Sequence, residues 1–115
     1  MPKRPSYTPQ RGDIVMLSFS PQAGHEQGGH RPALVISPAA YNEASGLAFC
    51  CPITRTRRQH PFEVALPKGL LTTGVVLVEH LRSLAWRERM AAFVEAAPGD
   101  LVAEVAGKAI AIIGG

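Results

Sequence analysis

Arg31 stands at the mouth of an apolar run, GGHRPALVIS, and Thr54, Arg55, Arg57 and Arg58 follow a second run in CPITRTRRQH. A guanidinium is planar, permanently charged and forked, so it meets two phosphate oxygens at once. Thr54 taken alone is an ordinary strand-end residue, more often a β-former than a catalyst. The loop ahead of Arg31, SPQAGHEQGGH, carries His25, Glu26 and Gln27, and a third polar pair, Glu79 and His80, follows the run TTGVVLV. These are polar groups gathered at strand ends and in two long loops. Whether Arg31 and Thr54 share one edge depends on strand pairing, which spacing alone leaves open.

Other chemistry has little footing. There is no phosphate loop, no G-x-S-x-G and no dinucleotide-binding glycine pattern. His25, His30, His60 and His80 lack zinc spacing, and the adjacent Cys50 and Cys51 suit neither a zinc site nor a bridge to each other. They read as reduced, structural thiols, one facing into the fold and one out. The net charge is only +3, but nine arginines against three lysines tilt the chain toward phosphate and bases.

The elements that must position these groups fit one domain. The 115 residues are 46% hydrophobic and 18% charged, the balance of a single globular core. No apolar run reaches the roughly 18 residues of a membrane span. The start, MPKRPSYTPQRGD, does not read as a signal peptide, so a cytoplasmic address is expected. Residues 1–11 read as a flexible arm. Strands are expected over 13–19, 32–37, 47–53, 62–66 and 75–78, with a turn or short helix between the second and third. Residues 83–95 suit either a helix or short strands. A last helix runs from Pro98 to about Ile113, with Asp100 in its first turn, Gly114 as a stop, and Leu101, Val105, Ala109 and Ile112 as its buried stripe. The result is an α+β domain, a small barrel of SH3-like size or a curled antiparallel sheet, with the C-terminal helix over an open side.

The block G-x-E-Q-x-G-x-R-P, running from Gly24 to Pro32, resembles the MazF/PemK family of endoribonuclease toxins. The likeness begins at RGDIVMLSFSP and continues through CPITRT, PFEVAL, TTGVVLVEHLRSLAWR and the closing helix, so it covers nearly the whole chain. It implies a homodimer that cuts single-stranded RNA at a short sequence, without metal or cofactor, and that a cognate MazE-like antitoxin silences. By motif position Arg31 matches the family's essential arginine and Thr54 its essential threonine. Glu26 matches the loop glutamate, a positioning group or base. Glu79 and His80 fall where the family reads bases, and His25, Gln27, Arg55 and Arg57 are further candidates to hold RNA. Two departures mark this chain. Leu77 and Glu79 stand where the PemK-type branch has an arginine and an aspartate, and Ser20 replaces the usual aspartate of the first loop. The first favours the MazF-type arrangement, while His25 is the PemK-like choice.

Two rival functions share this outline. A gyrase inhibitor of the CcdB kind has the same fold but needs no RNA site, and the motif around Arg31 argues against it. A non-catalytic RNA-binding barrel would rest on the arginine loop and tolerate loss of the Thr54 hydroxyl. Trp86 reads as core or dimer packing.

Overall fold

The computed structural model describes residues 7–20 and 29–114. Its centre is three strands, β1 (Asp13–Ser18), β2 (His30–Val35) and β3 (Leu47–Thr54), largely buried on both faces. After β2 come α1 (Ala39–Ser45) and β3. They are followed by β4 (Glu63–Ala65), β5 (Val75–Leu77), a 3-10 turn (Val78–His80), β6 (Arg82–Ala85), β7 (Ala92–Ala96) and α2 (Gly99–Ile113). The strands form one antiparallel sheet in the order β4-β5-β3-β2-β1-β7. β3 serves two neighbours along one edge, β6 at Leu47–Cys50 and β5 at Ile53–Thr54. The sheet curls without closing, which selects the curled sheet over the barrel. No helix among the described residues is long and apolar enough to cross a membrane.

Alternation divides the apolar side chains between two clusters. On one face Ile14, Leu34, Cys51 and Ile53 pack with Val64, Val76 and Val78 beneath α2. On the other, Val15, Leu17, Ala33, Val35 and Cys50 pack with Phe19, Leu84 and Trp86. Cys50 and Cys51 do face opposite ways, but the expected outward thiol is buried too, because the sheet is covered on both sides. Burial pushes each thiol up to about 12, Cys51 with a further push from Cys50.

Helix α2 keeps Leu101, Val105 and Ala109 in the core, joined by Val102 and Ala106. Ile112 is 44% exposed instead. The ambiguous stretch 83–95 becomes two strands. Leu84 and Trp86 are buried on either side of half-buried Ala85, a period of two that a helix would break. Trp86 is core, its indole N–H donating to the Asn42 carbonyl at 3.1 Å. Of the expected arm, the described residues 7–11 are not flexible. Tyr7 donates to Asp13 at 2.6 Å and the Pro9 carbonyl accepts from the buried Asn42 amide at 2.8 Å, so 7–11 are tied to the sheet. Residues 1–6 lie outside the described residues.

Candidate active site

Helix α2 covers only part of its face of the sheet. Past the helix the same face is open, and Met16, Pro32, Ile53 and Val94 form the floor of a groove of about 580 Å³. The groove opens where β2 and β3 stop pairing. Their register runs Val35↔Cys50, Leu34↔Cys51, Ala33↔Pro52 and ends there. Pro32 and Pro52 bring no N–H, so this end of the ladder lacks two donors. Continuing the register by two residues sets Arg31 opposite Thr54, and both line the groove. The groove thus brings together two residues that stand at opposite ends of their strands in the sequence.

Arg31 is half-buried, anchored in β2 between the exposed His30 and the buried Ala33. Thr54 is the last residue of β3 and 7% exposed, which makes its hydroxyl part of a wall. Its oxygen accepts from the Thr56 N–H at 3.2 Å, leaving the hydroxyl proton to donate elsewhere. Behind it stands Gly74, pressed so closely on the Thr54 carbonyl that a Cβ there would overlap the oxygen and lie 2.8 Å from the carbon. Arg55 and Thr56 continue the groove, and Arg57 and Arg58 follow it as exposed residues. The basic loop is held at its far end, where the Arg58 and Gln59 N–H groups donate to the Glu63 carboxylate at 2.7 and 3.0 Å.

Across the groove, Leu71, Thr72 and Thr73 form the other wall, on the segment leading into β5. Glu95, on edge strand β7, accepts from the Leu71 and Thr72 N–H groups at 3.0 and 2.8 Å. Its slight burial raises the carboxyl, but these bonds and one from the Thr72 side chain outweigh that and hold it below the ordinary carboxylate range.

His25, Glu26 and Gln27 lie outside the described residues. The ends of their loop are pinched together: the Phe19 N–H donates to the Gly29 carbonyl at 2.8 Å and the Gly29 N–H to the Ser20 hydroxyl at 3.2 Å. Two arginines hold the base of that loop, Arg82 donating to the Phe19 carbonyl and Arg89 to the carbonyls of Ser18 and Ser20.

Glu79 and His80 are not brought to the groove. In the β3–β5 pairing Val75 lies opposite Thr54, so each residue beyond it leads away, and both sit in the 3-10 turn after β5. There the Glu79 carboxylate lies 3.8 Å from His60 Nε2 and 3.9 Å from His80 Nε2. Glu95, Gly74, Arg82 and Arg89 were missed in the sequence. Only the glycine left a mark there, in the turn TTG.

The chain has close likenesses among known proteins. A family model described as PemK-like, MazF-like toxin of type II toxin-antitoxin system matches residues 10–113. The endoribonuclease toxin MazF of Escherichia coli strain K12 is 45% identical over 83 residues, covering 72% of this chain and 74% of that protein. A crystal structure of MazF from Deinococcus radiodurans superposes with a TM-score of 0.93 at 54% identity, over 96% of this chain and 100% of that one. A crystal structure of MazE-MazF from the same species gives 0.85 at 54% identity, over 95% and 98% of the two chains.

Proposed function

Because the chain belongs to the PemK-like, MazF-like toxin family of type II toxin-antitoxin systems, we propose that it is a sequence-specific, metal-independent endoribonuclease of the cytoplasm. Its substrate is single-stranded RNA. The observation that carries the reading is the end where β2 and β3 part from each other, whose Arg31 and Thr54 line one groove.

The ribose 2′-oxygen attacks the adjacent phosphorus as the bond from phosphorus to the 5′-oxygen breaks. The products are a 2′,3′-cyclic phosphate and a 5′-hydroxyl. Charge grows on the non-bridging oxygens in the transition state, and Arg31 with the Thr54 hydroxyl is the donor pair for it. Arginine's very high pKa makes electrostatic stabilisation its part rather than proton removal. The 2′-proton leaves to a base, for which Glu26 is the proposed group, and the departing 5′-oxygen takes a proton from an acid, for which His25, beside Glu26 in sequence, is proposed. Gln27, Arg55 and Arg57 are proposed to hold flanking RNA. Glu79 and His80 are assigned to a more distant stretch of the strand.

Two partners belong to this reading. A second copy of the chain would cover the apolar face where Tyr41, Phe49, Ile110 and Ile113 are exposed. A MazE-like antitoxin with an acidic segment would lie over Arg31, Arg55, Arg57 and Arg58 and exclude RNA. The structure of the Deinococcus MazE-MazF pair supports the second.

The deciding experiment treats a long single-stranded RNA with purified protein in excess EDTA and reads the product ends by mass spectrometry. Cleavage at a short recurring sequence with cyclic phosphate ends is expected. Arg31→Ala should lower it about 10²–10³-fold, the loss typical of one transition-state donor. Intact RNA, from protein shown to be folded, dimeric and free of antitoxin, would favour gyrase inhibition or simple RNA binding instead.

A further inference from the structure

Edge strand β7 and the segment before β5 belong to opposite ends of the strand order. The curl of the sheet brings them together, and one side chain joins them. Glu95 reaches from β7 and takes two consecutive backbone N–H groups, those of Leu71 and Thr72, on its two carboxylate oxygens. Charge-assisted bonds of this kind are short and directional. The segment they fasten has little else to shape it. Leu71 is 80% exposed, Thr73 is exposed as well, and neither lies in a strand or helix. Yet Leu71, Thr72 and Thr73 make the groove wall that faces Arg31 and Thr54. With the Thr72 side chain bonded to Glu95, an exposed leucine beside the Thr73 hydroxyl at the lip of a groove presents both an apolar surface for a base and a polar group for its edge. Unstacked bases of single-stranded RNA are read by such surfaces.

We propose that Glu95 is a positioning residue that holds Leu71–Thr73 as a base-binding lip, so that the RNA strand is presented to Arg31 and Thr54 in register. The proposal rests on the ribonuclease reading of that groove. Glu95 touches no reacting atom in this scheme, and its effect passes through the backbone of Leu71 and Thr72. A lip that wanders weakens capture of RNA, whereas RNA already in place is cleaved by the same donors as before.

The test compares the full-length protein with Glu95→Ala, Glu95→Gln and Leu71→Ala. Amide exchange at Leu71 and Thr72 should accelerate in Glu95→Ala by about tenfold or more, while exchange at Val35 and Val76 in the sheet stays unchanged. KM for RNA should rise by roughly tenfold with kcat held within about twofold, because the loss falls on binding. Glu95→Gln, which keeps one acceptor oxygen, should recover part of both effects. Leu71→Ala should raise KM without accelerating exchange at Thr72. Unchanged exchange and KM in Glu95→Ala would overturn the proposal, and so would equal acceleration throughout the sheet. If the wild-type protein cuts no RNA, the catalytic reading fails, and the lip is judged on a 2′-deoxy-substituted RNA. Affinity lost by about tenfold in Glu95→Ala then supports it, and unchanged affinity rejects it.

Discussion

Gly74 offers the sharpest perturbation of the site, because it acts on Thr54 without touching the groove. Its φ of +121° is a conformation that side chains resist, and an added Cβ would overlap the Thr54 carbonyl oxygen and sit 3.2 Å from the Arg55 Cα. Gly74→Ala therefore incurs two costs. Backbone strain at such a φ is about 1–3 kcal/mol. Relieving the overlap by moving well-packed backbone costs about 1–3 kcal/mol more. The sum, near 4 kcal/mol, would lower Tm by on the order of 15 °C in a domain of this size. The shift falls on Thr54, and a displacement of about 1 Å at a catalytic group costs roughly 10²-fold in turnover. Gly69→Ala is the control, since Gly69 has a φ of +102° with nothing within 4 Å of an added Cβ. It bears the strain alone and should lose stability with kcat near the wild-type value. The assay measures kcat on a short RNA well below both melting temperatures, together with Tm for each variant. If Gly74→Ala matches Gly69→Ala in kcat, Thr54 does not act from the place assigned to it.

Arg31→Lys keeps the charge but loses the planar fork, so cleavage should fall at least about tenfold with little change in Tm; wild-type kinetics would mean that charge alone suffices. Thr54→Ser should retain most activity and Thr54→Val very little, with similar affinity for a 2′-deoxy-substituted RNA, since only valine removes the donor; loss of affinity in step with turnover would point to a binding role. Cys50 and Cys51 give a pH dependence of definite sign. Their thiols are held up at about 12 against an ordinary 9.0, so the stability they contribute is complete below that ordinary value and falls away as pH rises toward 12. Urea titrations across that window should show the decline, Cys51→Ala should flatten it, and iodoacetamide should label neither thiol until the fold opens.

Much of this arrangement was legible because it depends on local pattern. The helix α2 was bounded by Pro98 and Gly114, and of its expected stripe only Ile112 is not buried. The burial of both cysteines was misread: alternation suggested one outward thiol, whereas the unbroken apolar run LAFCCPI belongs to a strand covered on two faces. Arg31 and Thr54 could be named from motif, but their meeting depended on the β2–β3 register. Glu95 was beyond reach. Its partners lie 24 and 23 residues away, and the bond exists only because the sheet curls. No local preference of Glu95, Leu71 or Thr72 encodes that approach.

The same device recurs on the other side of the groove, and its chemistry explains the choice. Glu63 takes the N–H groups of Arg58 and Gln59 as Glu95 takes those of Leu71 and Thr72, each carboxylate joining two consecutive amides. Loops flanking a phosphate site must be fixed, yet a carboxylate paired with a guanidinium would compete with the phosphate for it. Fastening backbone amides avoids that competition and directs the negative charge to the main chain. It also separates the two losses experimentally. Removing Glu63 should loosen the basic loop and removing Glu95 the opposite wall, so exchange at Arg58 and Gln59 should respond to the first variant alone and exchange at Leu71 and Thr72 to the second. A response of both walls to either variant would mean that the curl moves as one body, and that the carboxylates hold the sheet rather than its loops.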